Sequence, residues 1–171
     1  RSLDRFVKTS TGIRFYKGLD ILIFALACMP KEKRLPLYVI GVGDGNETQI
    51  ETNKGVIPLR YINLAYLTGV DIRFLGGIDD DEKFAWIKKA KLSVMPDISQ
   101  SIVSMFCIES IYCGVPCITV DLPVSRDRYG DLPIYVQEIY NTKAWADKIE
   151  EVLGDIDRHT KEAKEKKKWI I

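Results

Sequence analysis

The sequence predicts an α/β fold, a three-layer α/β/α sandwich with a mainly parallel sheet of about six strands, in a single domain over residues 1–171. Three observations predict it. Short β-rich runs alternate with longer segments of helical periodicity, the pattern of successive βαβ units. The apolar share is 46 %, enough for a packed core and too high for a disordered chain. No internal repeat or low-complexity linker interrupts the alternation.

The elements follow in chain order. "RFVKTST" (5–11) reads as the first strand. "GLDILIFALACM" (18–29) has helical length and an apolar face, and Pro30 closes it. "LPLYVIGV" (35–42) is a β-branched run punctuated by "GDGN" (43–46). Within 47–69, "LRYINLAYLTG" reads as a helix ending at Gly69. "VDIRFLGGI" (70–78) is a strand entering a glycine turn. "DDDEKFAWIKKA" (79–90) is a helix with acids in its first turn and lysines in its last, as the helix dipole favours. "KLSVMPD" (91–97) is a strand stopped by Pro96; a helix over 102–113, the strand "PCITVD" (116–121), a loop, the short strand "PIYVQ" (133–137) and one last helix over 142–168 complete the chain.

Charge and cysteine usage narrow the function classes. Lys and Arg number 25 against 24 Asp and Glu, so no nucleic-acid partner is expected. The dense basic run "KEAKEKKKW" (161–169) reads as a solvated terminal helix, with peripheral contact to anionic lipid as the minority alternative. Cys28, Cys107, Cys113 and Cys117 form no C-x-x-C pair, and the lone His159 is distant in sequence, which speaks against a zinc site or a disulfide framework. Small buried hydrophobes in a reducing cytoplasm is the better reading. There is no signal peptide and no bilayer-length apolar run. A start at Arg1 without Met suggests a piece of something longer.

In folds of this class ligands bind beyond the carboxyl ends of the strands. "GVGDGN" begins like a dinucleotide fingerprint and fails it, because the third glycine would fall at Asn46 and the loop follows the second strand. It is either a tight turn or a turn opened for a ligand, and Gly76–Gly77 raise the same pair of readings. Arg14 and Lys17 stand where the first strand gives way to the first helix, a place suited to phosphate oxygens; two exposed loop cations is the alternative. With Ser101 as cap, Ile102, Met105, Phe106, Glu109, Tyr112 and Cys113 share one helix side. A carboxylate among apolar neighbours costs several kcal/mol, roughly, unless partnered. Its partner is then either a structural Lys or Arg, the commoner outcome, or a polyhydroxyl ligand. The first-turn amides of Val103, Ser104 and Met105 suit a phosphate.

Together, "YKGLDILIFAL", "LPLYVIGVGDG", "VDIRFLGGI" and "KLSVMPDISQSIVSMFCIESIYCGVPCITVD" resemble the C-terminal half of the family 4, or group 1, glycosyltransferases of the GT-B fold, from Thr9 to Ala146. The resemblance implies a Rossmann-like domain that holds a nucleoside-diphosphate-sugar donor. Lys17 and Gly18 match the family's K-G, so Lys17 would hold the diphosphate; the family arginine positions are Thr11 and Gly12, with Arg14 the nearest substitute. Gly41 and Gly43 match the G-x-G, and Phe74, Leu75 and Gly76 match the F-L-G whose backbone meets the base. Glu109 matches the glutamate that accepts from the ribose hydroxyls. The family's first glutamate is replaced by Ser101, with Gln100 adjacent and able to touch the transferred sugar, and the glycine-rich turn is replaced by "SIVSMF", where Val103 and Met105 narrow the space.

The implied activity is sugar transfer from the nucleotide sugar to an acceptor hydroxyl, with retention, by an enzyme needing neither cofactor nor metal. "DDDE" (79–82) reads as helix-start acids. A saccharide, lipid-linked or protein acceptor would bind an N-terminal domain that is absent here, so this part alone is expected to bind nucleotide weakly and transfer nothing. The rivals are a sugar-nucleotide epimerase and a non-catalytic binding or scaffold module, the latter favoured by Ser101. A flavodoxin-like or receiver domain lacks its acid cluster after the first strand.

Overall fold

A computed structural model describes residues 6–9 (backbone only), 13, 17–43, 48–53, 55–99 and 104–170. Among them, β1 (Phe6–Thr9), β2 (Leu37–Ile40), β5 (Ile72–Gly76), β6 (Leu92–Met95), β7 (Cys117–Val120) and β8 (Ile134–Val136) form one sheet in the order β5-β2-β1-β6-β7-β8. Every pairing in it is parallel. Counted within this sheet alone, the order is the doubly wound 3-2-1-4-5-6, whose direction of winding reverses between β1 and β6. The expected Rossmann-like sandwich is therefore present, with its switch point at that pair.

Two layers of helices cover the sheet. On one face lie α1 (Leu19–Cys28), α2 (Leu59–Thr68) and α6 (Thr142–Gly154), where Leu22, Ile23 and Leu26 meet Tyr61, Trp145 and Ile149. On the other lie α3 (Asp80–Lys88), α4 (Phe106–Tyr112) and α7 (Ile156–Lys166), around Ile87, Phe106, Ile111 and Ala163. Alternation along the strands feeds both layers: Leu92 and Val94 belong to the first core and Met95 to the second. All four residues of β6 and of β7 are buried, as expected for central parallel strands.

Local chemistry fixes the helix ends. Met29 is extended ahead of Pro30, which ends α1 as the sequence predicts. Asp79 caps α3 by accepting from the Glu82 amide at 2.8 Å, ahead of Asp80 and Asp81. The acids 79–82 thus serve a helix start.

Several elements differ from expectation. An antiparallel pair, β3 (Gln49–Thr52) against β4 (Gly55–Pro58), stands ahead of the predicted α2. The expected loop after β7 contains α5 (Pro123–Tyr129), with Pro at its start. The single terminal helix is two, broken at Asp155, where ψ is 48°. The helix expected over 102–113 begins at Phe106; residues 100–103 lie outside the described residues. The four cysteines are free: Cys107 and Cys117 are buried, Cys113 is half-buried, and Cys28 is exposed, contrary to the buried reading. A hydrogen bond with Cys117, aided by burial, pushes the Cys107 thiol up. Among the described residues no helix is long and apolar enough to cross a membrane.

Candidate functional site

The carboxyl ends of β1 and β6 flank the switch point, and two side chains 80 positions apart in sequence meet across it. Lys17 Nζ donates to Asp97 Oδ2 at 2.6 Å, and the two side chains are 10 % and 6 % exposed. Asp97 is anchored further by its other oxygen, which accepts from the Ser99 amide at 3.0 Å. Gly18 makes this approach possible. Its φ is 65°, and a Cβ there would stand 2.1 Å from the Pro96 carbonyl oxygen. The start of α1 is thereby pressed against the segment leaving β6. Lys17 is at the predicted place, but it is a buried paired cation and not an exposed loop charge.

The glycines at the ends of β2 and β5 are tied to one another. Gly41, at φ 127°, donates its amide to the Gly76 carbonyl at 2.8 Å. Ile13 donates to the Val42 carbonyl at 2.7 Å, so the chain leaving β1 runs beside the glycine loop. Gly43 donates to Val56 of β4, and a Cβ on it would lie 2.7 Å from Gln49 Nε2. Here the G-x-G makes room for the β3–β4 pair, a use the sequence reading did not contain. Leu75 is buried in the core beside α3, and Gly76 at the end of β5 is buried as well.

Glu109 stands in the first turn of α4 and Lys83 in the first turn of α3, both at this end of the sheet. Lys83 Nζ donates to Glu109 Oε1 at 2.9 Å and to Asp80 Oδ1 at 2.8 Å, and Lys83 and Glu109 are each 19 % exposed. Glu109 is flanked by buried Phe106 but by exposed Met105 and Tyr112, so it occupies the rim of the apolar layer. The structural partner that its setting called for is Lys83, which takes one oxygen; among the described residues Oε2 accepts no hydrogen bond.

Ser104 and Met105 precede α4 and do not form its first turn. The Ser104 hydroxyl accepts from the Phe106 amide at 3.3 Å and its carbonyl accepts from the Tyr129 hydroxyl at 2.6 Å. Burial pushes the Tyr129 phenol well above its usual range. Met105 is exposed, with its sulfur 3.4 Å from Arg128. Arg14, Gln100, Ser101 and Val103 lie outside the described residues. Beside Asp97 a cavity of about 10 Å³, lined by Ser99, Ser104 and Tyr129, has room for one water. A larger hollow of about 370 Å³, lined by Lys88, Lys91, Pro116 and Lys164, opens at the amino ends of β6 and β7, the wrong end for a ligand of a doubly wound sheet.

Asp97, Lys83 and Gln49 escape sequence reasoning. Asp97 closes the predicted strand segment "KLSVMPD" (91–97), but no spacing rule ties it to Lys17.

The model of the family described as "Glycosyl transferases group 1" matches residues 4–169. The chain belongs to the group 1 glycosyl transferases. A phosphatidyl-myo-inositol mannosyltransferase of Propionibacterium freudenreichii is 24 % identical over 115 residues, covering 67 % of this chain and 25 % of that protein. The catalytic domain of a cholesterol-alpha-glucosyltransferase from Helicobacter pylori superposes with a TM-score of 0.74 at 18 % identity, over 98 % of this chain and 97 % of that one. Anabaena Alr3699/HepE in complex with UDP-glucose gives 0.76 at 15 % identity, over 98 % of this chain and 44 % of that one. These structural likenesses carry the fold. The chain spans a quarter of the mannosyltransferase's length.

Proposed function

We propose that this chain is the donor-binding half of a retaining glycosyltransferase that moves a sugar from a nucleoside-diphosphate sugar to an acceptor hydroxyl. The observation that carries the reading is at the β1–β6 switch point, where Lys17 and the close-packed start of α1 occupy the position at which doubly wound sheets take phosphate. Lys17, held by Asp97, would act on the diphosphate as a fixed point charge at the start of α1. Glu109, on the rim with Oε2 unclaimed among the described residues, would accept from the ribose hydroxyls, and Gly76 would offer backbone to the base. Ser101 or Gln100 would touch the transferred sugar. Transfer then rests on positioning and on stabilising the departing diphosphate. The acceptor, a saccharide, lipid-linked or protein hydroxyl, would be held by an N-terminal domain in a longer protein at the cytoplasmic side. Membrane contact through the basic segment 161–169 belongs to the same proposal.

Calorimetric titration with UDP, GDP and ADP, each with and without its sugar, tests the reading. One nucleotide should bind, and Glu109→Ala should weaken it about tenfold or more, the loss of a charge-assisted hydrogen bond. Unchanged affinity in a folded variant would move the ribose site elsewhere.

A second reading, a binding module that no longer transfers sugar, is favoured by Ser101 at the first glutamate position and by the matching of both Lys17 and Glu109 with internal partners. Ser101→Glu in the longer protein separates the two: transfer gained supports decay, and transfer lost supports a native role for the serine.

A further inference from the structure

We propose that Asp97 is a specificity-determining residue of the donor site, acting through Lys17 to make the site prefer a nucleotide sugar over the free nucleoside diphosphate left after transfer. The inference rests on the donor-site reading above and adds a residue to it.

Asp97 is a buried carboxylate at the carboxyl end of β6, and it holds Lys17 Nζ at 2.6 Å. It cannot swing away at little cost, because its second oxygen is fixed by the Ser99 amide at 3.0 Å. Nor can Lys17 easily withdraw, because Gly18 is packed without clearance against the Pro96 carbonyl, one residue before Asp97. The ammonium and the carboxylate thus stay together as an ion pair, in a setting where water screens little. An anion approaching Lys17 meets, beside the ammonium, the repulsion of a carboxylate held at hydrogen-bonding distance from it.

Donor and product differ in how strongly they feel that repulsion. In a nucleotide sugar both phosphates are esterified, and each carries one negative charge. After transfer the terminal phosphate is a monoester that ionises a second time near neutral pH. The extra charge sits at the end of the diphosphate that faced the sugar. A lone lysine would grip the product more tightly than the donor and slow its departure. The Asp97 carboxylate beside that lysine opposes the extra charge and removes or reverses the preference.

The test is calorimetric titration of the 171-residue chain with UDP-glucose and UDP, or with the sugar and free forms of GDP or ADP if one of those is the nucleotide bound. Asp97→Asn keeps the shape and an oxygen for the Ser99 amide and removes the charge. The ratio of affinities should move about tenfold in favour of the free diphosphate, the size expected for one unit charge several ångströms away at a partly screened site. The double variant Lys17→Met, Asp97→Leu removes both charges, an exchange that often leaves stability unharmed. Both ligands should weaken in it while their ratio stays that of the parent. If Asp97→Asn does not fold, Lys17→Met alone gives the opposite arm, a ratio moved about tenfold toward the nucleotide sugar. An Asp97→Asn that shifts both ligands by the same factor has only a structural effect and overturns the proposal, as does an unmoved ratio in Lys17→Met. If the parent chain binds none of these nucleotides, the donor-site reading itself fails, a result distinct from binding with an insensitive ratio.

Discussion

Lys83 answers to two carboxylates, Asp80 at 2.8 Å and Glu109 at 2.9 Å. Burial lowers the pKa of its ammonium, and the hydrogen bonds to Asp80 and Glu109 outweigh that, leaving it above the ordinary lysine value of 10.5. A folded-state value raised above the unfolded one gives stability that is fully present below pH 10.5 and is lost as the pH climbs through the raised value. Lys83→Met should therefore destabilise the fold by about 1 kcal/mol near neutral pH, where the pair is only partly shielded from water. The difference from the parent should shrink in alkaline solution and be unaffected by acidification from about pH 8 to about pH 6. Urea melts of both proteins across that range and up to about pH 11 check it; a gap that persists unchanged through the alkaline limb would assign the loss to packing of the lysine stem. Glu109 illustrates why this site was half legible. Its spacing on α4 and its need for a partner could be read from the sequence, but Lys83 comes from a different helix, 26 positions earlier, and nothing local pairs the two.

Three glycines at element ends carry different demands, and the contrast is measurable. Gly18 precedes α1 at φ 65° with the Pro96 carbonyl oxygen 2.1 Å from where a Cβ would stand; Gly69 ends α2 at φ 66° with nothing within 4 Å. Gly69→Ala should cost about 1 kcal/mol, the strain of a left-handed alanine. Gly18→Ala should cost about 3 kcal/mol or more, because backbone must move as well, and it should also weaken nucleotide binding by displacing Lys17. Gly43 is the intermediate case, since its neighbour is the end of the flexible Gln49 side chain. Equal losses at Gly18 and Gly69 in chemical denaturation would show that the β6 segment yields freely. The same elements explain which parts of the fold a sequence discloses. Strands β2, β5, β6 and β7 read as apolar runs because helices bury them; β6 and β7 are covered throughout. The β3–β4 pair does not, because β3 is "QIET" with its last three residues exposed, and neither alternation nor hydrophobicity marks it. Helix α5 is a single polar segment, "PVSRDRY", too short for periodicity to register. The break between α6 and α7 falls at Gly154–Asp155, where the apolar positions on either side continue close enough to one helical pattern to hide it.

The whole molecule closes its cores without outside help. One helical layer buries Trp145, Tyr61 and five α1 side chains against the sheet, and the other buries Phe106, Ile111 and Ile87. Neither layer needs a second domain to cover it, so the 171-residue chain should unfold in one cooperative transition. Function at this scale is another matter. Lys17, Asp97, Lys83 and Glu109 stand at the carboxyl ends of the strands, and under the proposed function catalysis by positioning requires an acceptor hydroxyl held opposite the sugar. The expected outcome is a stable protein that binds nucleotide weakly and releases none of its diphosphate by transfer, with turnover appearing when the acceptor-binding half of a longer protein is joined to it. Following nucleoside diphosphate release from UDP-glucose, GDP-mannose and ADP-glucose, with and without that half, measures this directly. Turnover by the 171-residue chain alone would place acceptor binding on this domain and end the proposed division of labour.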